Sequence, residues 1–92
     1  MYDILFKKSA VKELNKVPVY DKERIINAIH SLAENPYDNT LDIKKLTDEP
    51  GYRLRVGDWR VIYSKEDALK IISITRVKHR KEAYKWGCKL YN

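Results

Sequence analysis

The residues best suited to chemistry in this sequence are cations spaced as in a β-hairpin. Arg53 and Arg55 alternate with apolar residues, the dipeptide Gly57-Asp58 follows, and Arg60 begins the return segment. A two-residue loop sets the register of such a hairpin, so Arg55 is expected to lie directly opposite Arg60. Like charges in this position cost roughly 0.2–1 kcal/mol. Because two facing guanidiniums bind phosphate well, the pattern predicts a phosphate-binding cleft rather than two arginines that extend into solvent without a ligand.

A second group of cations follows the last apolar segment of the sequence. Arg76 stands near the end of that segment, and the next eight residues include Lys78, His79, Arg80 and Tyr84. In a helix, Arg80 and Tyr84 would share one face. Cations interleaved with aromatic rings are typical of single-stranded RNA sites, where phosphates meet positive charge and bases stack on rings. The two groups together predict an anionic partner.

The elements that must position these residues follow from hydrophobic periodicity. The order of elements is β-α-α-β-β-β, which predicts an α+β fold: an N-terminal strand, an antiparallel helix hairpin and a three-stranded antiparallel meander covered by the helices on one face. Ser9 and Asp21 are the expected N-caps of the two helices. The expected strands are 2–6, 52–56, 59–64 and 69–77, the helices run from Ser9 to Pro18 and from Asp21 to Asn35, residues 37–50 form a polar connection, and 79–90 a short helical or irregular tail.

The charge is distributed unevenly over the 92 residues, whose formal net charge is +6. Residues 1–50 carry eight Lys and Arg against nine Asp and Glu, whereas residues 51–92 carry eleven against four. The excess positive charge therefore accompanies the predicted cleft. Alternation along the hairpin places its arginines on the face that the helices leave open.

Composition excludes several other classes of protein. No apolar run approaches the roughly 20 residues that cross a bilayer, and the first residues lack the order of regions found in a signal peptide. A single cysteine, Cys88, cannot form an intramolecular disulfide or a Cys/His metal cluster. We therefore expect one cytoplasmic domain over residues 1–92, with no metal, no small-molecule cofactor and no membrane partner.

Residues 52–63, followed by 76–84, resemble the RelE branch of the RelE/ParE toxin superfamily. The resemblance covers nearly the whole chain, including the Lys44-Lys45-Leu46 segment before the hairpin. It implies an endoribonuclease toxin that cleaves mRNA, commonly in the ribosomal A site, and that a cognate antitoxin neutralises. The catalytic residues it implies are Arg55, Arg60, Arg76, Arg80 and Tyr84, and the substrate-binding residues are Lys45, Arg53, Lys78 and His79.

The chemistry expected of such a site is attack of an RNA 2′-OH on the adjacent phosphorus, which leaves a 2′,3′-cyclic phosphate and a 5′-OH. Arg53 and Arg55 stand where some family members have lysine, and arginine stays protonated near neutral pH. Proton transfer therefore falls to Tyr84, His79 or Lys78. Two alternatives remain: a ParE-like inhibitor of gyrase without nuclease activity, and a degenerate homologue that only binds RNA or antitoxin.

Overall fold

The structure of the protein, a computed structural model, describes residues 1–47 and 49–81 and has two helices and five strands in these ranges. The elements are β1 (Asp3–Phe6), α1 (Lys8–Asn15), α2 (Val19–Glu34), β2 (Asp42–Lys45), β3 (Tyr52–Val56), β4 (Trp59–Glu66) and β5 (Ile71–His79). The strands form one sheet in the order β1-β5-β4-β3-β2, in which β1 runs parallel to β5 and the other neighbours are antiparallel. The predicted α+β class is confirmed.

The sheet is larger than the predicted three-stranded meander. Strands β3, β4 and β5 are consecutive antiparallel neighbours, but β2 and β1 extend the sheet at its two edges. The segment predicted as a polar connection contains β2, in which only Ile43 is apolar. Short charged strands suit sheet edges, where charge discourages pairing with another chain, and for the same reason they lack a hydrophobic signal. The predicted helical or irregular tail over 79–90 lies outside the described residues from 82 onward, and its first residue, His79, belongs to β5.

The hairpin between β3 and β4 has the predicted register. Arg55 pairs with Arg60, and Val56 pairs with Trp59 on either side of the turn. Gly57 has a φ of 58°, and Asp58 has no positive φ, which is the pattern of a type II′ turn. A side chain at Gly57 would lie 3.1 Å from the guanidinium of Arg24 in α2, so glycine also allows the helix to approach the turn.

The two helices cover one face of the sheet and enclose the core. Its members come from α1, α2, the connection between the two helices and the three inner strands: Ala10, Leu14, Val17, Ile25, Ile29, Leu32, Leu54, Val56, Val61, Tyr63, Ile72, Ile74 and Val77. At the edges, Ile4 and Ile43 pack against this cluster and are partly buried. The apolar hairpin face predicted from the alternation is therefore the face that the helices cover.

The helix starts differ from the predicted caps. The N-cap positions are Lys7 and Pro18, and neither side chain donates or accepts a capping hydrogen bond. Ser9 instead lies inside α1, where its hydroxyl donates to the backbone oxygen of Thr75 at 2.8 Å. Asp21 lies in the first turn of α2 and accepts a hydrogen bond from the indole nitrogen of Trp59 at 3.2 Å. Both polar side chains thus contact the sheet instead of capping their own helix, which local sequence does not reveal.

A polar cluster joins three distant segments at the end of the sheet opposite the hairpin turn. The hydroxyls of Tyr2 and Tyr37 donate to the two carboxylate oxygens of Asp67 at 2.6 and 2.9 Å. The ammonium of Lys65 lies 3.8 Å from the same carboxylate and 3.9 Å from the centre of the Tyr37 ring. This cluster connects the start of β1, the loop after α2 and the β4–β5 turn.

Across residues 1–47 and 49–81, none of the helices is both long and apolar enough to cross a membrane. The same residues contain no group of three or more His, Cys, Asp and Glu side chains that could hold a metal ion.

Candidate functional site

The face of the sheet that the helices do not cover carries two rows of charged residues. One row runs across the four strands from β2 to β5 as Asp42, Arg55, Arg60 and Lys78, and the next as Lys44, Arg53, Ile62 and Arg76. We call the surface formed by Lys44, Arg53, Arg55, Arg60, Arg76 and Lys78 the basic face. It brings together five of the predicted site residues from three separate strands: Arg53, Arg55, Arg60, Arg76 and Lys78.

The two opposed arginines of the hairpin differ in their surroundings. Arg60 is buried, at 7% exposure, and its Nη1 donates to the backbone oxygens of Gly57 and Trp59 at 3.0 and 3.1 Å. The side chain of Arg55 is 53% exposed and lies 3.9 Å from the carboxylate of Asp42. The two residues pair in the sheet as predicted. The guanidinium of Arg60 lies toward the turn, and that of Arg55 lies toward β2. A phosphate on this row would meet one fixed cation and one adaptable cation.

Asp42 links the two predicted hairpin arginines on the outer side of β3. Its two oxygens lie 3.3 Å from Nη2 of Arg53 and 3.9 Å from Nη1 of Arg55. Arg53 is only 4% exposed, so its guanidinium adds positive potential to the site but does not extend into solvent. The sequence did not single out Asp42, because the strand that carries it was not predicted.

Lys45 and His79, two of the predicted substrate-binding residues, lie in rows of the opposite face. Lys45 pairs with Tyr52 in the sheet, and its neighbour Lys44 occupies the row of Arg53. His79 pairs with Trp59, and the two rings contact edge to face with centroids 5.2 Å apart. Strand alternation places both residues away from the basic face, and the lysine that reaches it is Lys44.

The cations at the end of β5 have partners of two kinds. Arg80 lies beside the hairpin turn, where its backbone nitrogen donates to the oxygen of Asp58 at 2.8 Å and its Nε is 3.6 Å from the Asp58 carboxylate. Arg76 and Lys78 both contact the carboxylate of Glu13 in α1. The predicted catalytic Tyr84 lies outside the described residues, as do Trp86 and Cys88.

Glu13 is, with Asp42, a carboxylate of this site that sequence reasoning missed. Its Oε1 accepts a hydrogen bond from the backbone nitrogen of Val77 at 2.9 Å, and its Oε2 contacts Lys78 and lies 3.6 Å from Arg76. The carboxylate belongs to a helix more than 60 residues earlier in the chain. A single glutamate between the apolar positions of a short helix carries no local signal for such a contact.

Two cavities differ in their relation to this surface. A cavity of about 200 Å³ is lined by Glu13, Lys16, Trp59, Val77 and Lys78, at the edge of the sheet beside the basic face. A wider one of about 380 Å³ lies along α2 and is lined by Lys22, Glu23, Ile26 and Asn27. Of the two, the first cavity is the one relevant to the candidate site, because it borders Lys78 of β5 and the second lies along α2.

The arrangement is suited to stabilise developing negative charge on a phosphoryl group. Guanidinium and ammonium groups from β3, β4 and β5 converge on one surface, and preorganised donors of this kind lower the energy of an anionic transition state. The planar donors of arginine also match phosphate oxygens in pairs.

Comparison with known proteins gives a consistent set of similarities. The model of the family described as ParE toxin of type II toxin–antitoxin system, parDE, matches residues 4–84. A chain of the archaeal RelE–RelB complex from Pyrococcus horikoshii OT3 is 32% identical, with a TM-score of 0.75 over 86% of this chain and 94% of that chain. A chain of the RelB–RelE antitoxin–toxin complex from Methanococcus jannaschii is 33% identical, with a TM-score of 0.74 over 89% and 96%.

The isolated E. coli RelE toxin has the same fold at 21% identity, with a TM-score of 0.72 over 94% of this chain and 98% of that chain. No curated protein matches the sequence.

Proposed function

The chain belongs to the ParE toxin family of type II toxin–antitoxin systems, within the RelE/ParE superfamily, and from its basic face we propose that it is the endoribonuclease of such a system. Its substrate is mRNA, cut on the ribosome in the A site, so that translation stops. The observation that carries the proposal is the row of Arg55, Arg60 and Lys78 across three strands, with Arg76 in the adjacent row. A surface of this composition fits the phosphates of a single strand.

The proposed reaction is an internal transfer at one phosphate of the RNA. The 2′-oxygen forms a bond to phosphorus, the bond from phosphorus to the 5′-oxygen breaks, and the leaving oxygen takes up a proton. Arg55 and Arg60 hold the scissile phosphate, while Arg76 or Arg80 neutralises the charge that builds on its oxygens. Tyr84 accepts the proton of the 2′-OH, which requires neighbouring cations to lower its pKa from the ordinary value of about 10.

The remaining cations of the basic face supply the other charges that the proposed reaction needs, without a cofactor. Lys78 shares a row with Arg60 and therefore joins Arg76 and Arg80 as a candidate for transition-state stabilisation. Lys44 replaces Lys45 as the lysine of β2 placed to meet the RNA backbone, since only Lys44 lies in a row of the basic face. Arg53 contributes positive potential from a buried position.

The decisive experiment maps mRNA 5′ ends after induced expression, with and without translating ribosomes. We expect new 5′-OH ends within codons, dependent on translation, and their loss in Arg60→Ala and Tyr84→Phe. Lys12→Ala, which removes an exposed cation of α1 that is not part of the basic face, is the matched control and should cleave as the wild type does. Full cleavage by Tyr84→Phe would remove that residue from the mechanism, and absence of cleavage by the wild type would refute the proposed function.

The second candidate is a ParE-like inhibitor of gyrase, which the description of the matching family model favours. It predicts DNA damage after expression and intact mRNA. The same experiment separates the two, because only the nuclease produces translation-dependent 5′ ends.

The partner that we propose is a cognate antitoxin, encoded beside the toxin gene, and the site of action is the cytoplasm, where the ribosomes are. Two relatives above 30% identity are chains of complexes between RelE and RelB. The test is to identify a small acidic reading frame beside the toxin gene and to co-express its product, which should restore growth and yield a complex by size-exclusion chromatography. A lack of complex formation with that product would argue against it as the antitoxin.

A further inference from the structure

One edge of β5 is covered by side chains of α1 rather than by a strand. Strand β1 pairs with β5 only from Ile71 to Ile74, and within the described residues no strand continues that edge. Along the rest of the edge, Ser9 donates to the oxygen of Thr75 at 2.8 Å. One helical turn later, Glu13 accepts from the nitrogen of Val77 at 2.9 Å. The helix therefore satisfies the exposed backbone groups of β5 at two consecutive points.

The backbone contact determines where the carboxylate of Glu13 can lie. With Oε1 bound to Val77, Oε2 is held at the rim of the basic face, where it contacts Lys78 and Arg76. The side chains of Glu13 and Lys78 are both 16% exposed, so the pair is largely shielded from water. Charge-assisted contacts in such surroundings are stronger than exposed ion pairs.

Holding the ammonium of Lys78 has a chemical consequence. A lysine side chain has four flexible methylenes and loses rotamer entropy when its position is restricted. A contact made before substrate binds lets the ammonium act without that reorganisation. Lys78 stands in the row of Arg55 and Arg60, next to the place where we propose the scissile phosphate binds.

We infer that Glu13 is a positioning residue of the nuclease: tied to the backbone of β5, it holds Lys78 and Arg76 in the orientation that stabilises the transition state. The inference rests on the proposed function for its effect on catalysis. The contact geometry on which it depends can be measured without any RNA.

Three roles of Glu13 predict different behaviour of the Glu13→Gln variant. Glutamine keeps an oxygen that can accept from Val77 but removes the negative charge. If Glu13 only covers the strand edge, the variant cleaves as the wild type does. If Glu13 competes with phosphate for the cations, the variant binds RNA more tightly and cleaves faster. If Glu13 positions the cations, the cleavage rate falls while binding is maintained.

The experiment measures single-turnover cleavage on mRNA-programmed ribosomes over a range of toxin concentrations. We expect Glu13→Gln to lower the rate at saturation by roughly 10- to 100-fold, the range that a misplaced catalytic group produces, with an unchanged half-saturating concentration. Glu13→Asp keeps the charge and should recover a portion of the rate. Glu23→Gln, which makes the same change in net charge on the exposed side of α2, is the control and should match the wild type. Wild-type cleavage or faster cleavage by Glu13→Gln overturns the inference.

A double-mutant cycle tests whether the effect passes through Lys78. In a Lys78→Met background, Glu13→Gln should cause much less additional loss of rate than it does alone, since the group that it positions is gone. Equal losses in both backgrounds would show that Glu13 acts independently of Lys78 and would contradict the inference.

NMR separates a failure of this inference from a failure of the proposed function. In the wild type, the Lys78 side-chain methylene next to the ammonium should have restricted motion, which increases in Glu13→Gln but not in Glu23→Gln. The Val77 amide should stay protected from hydrogen exchange in Glu13→Gln, which also shows that the fold is retained. Equal Lys78 motion in wild type and Glu13→Gln overturns the positioning role, even if the wild type cleaves mRNA. If the wild type does not cleave mRNA but the motion of Lys78 increases in Glu13→Gln as expected, only the proposed function is refuted, and the contact geometry stands.

Discussion

At the scale of single residues, burial separates the arginines of the basic face into two kinds. Arg53 and Arg60 are at most 7% exposed and contact protein groups, so substitutions there change both the fold and the charge. Arg55 has a side chain that is 53% exposed and lies 3.9 Å from Asp42. An exposed ion pair of this kind contributes about 1 kcal/mol or less to stability. Arg55 is therefore the position at which function can be changed with little effect on folding.

We predict that Arg55→Ala lowers the rate of mRNA cleavage at least tenfold while the free energy of unfolding changes by no more than about 0.5 kcal/mol. The reason is that an exposed cation in the phosphate row is lost and no buried contact is broken. Cleavage on programmed ribosomes and urea unfolding followed by circular dichroism check the two halves. Lys12→Ala is the control for loss of one cation. Unchanged cleavage by Arg55→Ala would remove Arg55 from the site.

At the scale of elements, the hairpin could be predicted from sequence because its determinants are local. Gly57-Asp58 sets a two-residue loop, and alternation then assigns every neighbouring side chain to a face. The edge strand β2 could not be predicted, since three of its four residues are charged. The contacts of Ser9 and Glu13 with β5 depend on how α1 packs against the sheet. Because these contacts join residues more than 60 positions apart, the local sequence does not predict them. Sequence therefore located most of the cations but not the carboxylates that hold them.

The hairpin turn gives a prediction about stability. Gly57→Ala should lower the free energy of unfolding by roughly 1–3 kcal/mol, because its positive φ is strained for any residue with a side chain. The new methyl would also lie 3.1 Å from the Arg24 guanidinium, but this is the end of a flexible, half-exposed side chain that can move aside, so the steric share of the loss is small. Chemical unfolding measures the change. Combining Gly57→Ala with Arg24→Ala should recover only the steric share of the loss. An alanine variant as stable as the wild type would contradict the type II′ turn.

At the scale of the whole molecule, the Tyr2–Asp67–Tyr37 cluster joins the start of the chain and the β4–β5 turn to the α2–β2 loop. The hydrogen bond from Tyr2, then that from Tyr37, lowers the pKa of Asp67. The same bond to Asp67, aided by burial, raises the pKa of Tyr2 to about 12. Asp67 thus stabilises the fold above its unfolded pKa of about 3.9, and this contribution is lost as pH falls through the lower folded value. The neutral Tyr2 stabilises the fold below about pH 10, and this contribution is lost as pH rises toward about 12.

We therefore predict that wild type is more stable than Asp67→Asn across neutral pH, and that the two converge below about pH 4 and again between about pH 10 and 12. Urea midpoints measured from pH 3 to pH 12 give the comparison. Asp3→Asn, which removes an exposed carboxylate from β1, should follow the wild type at every pH. A difference between wild type and Asp67→Asn that is independent of pH would show that the carboxylate charge does not act through the tyrosines.

The distribution of charge over the molecule sets the final prediction, which concerns RNA binding apart from cleavage. A short RNA with 2′-O-methyl groups lacks the proposed nucleophile and should bind with an affinity that falls with salt, with a log–log slope of about 2–3 if three or four phosphates are contacted. Asp42→Asn should tighten binding at low salt and steepen this slope, because it releases Arg55 and Arg53 from a competing carboxylate. Asp3→Asn raises the net charge equally but lies on β1, so it should change neither quantity. Fluorescence anisotropy over a salt series measures both. Identical effects of the two variants would mean that net charge, rather than the basic face, determines RNA binding.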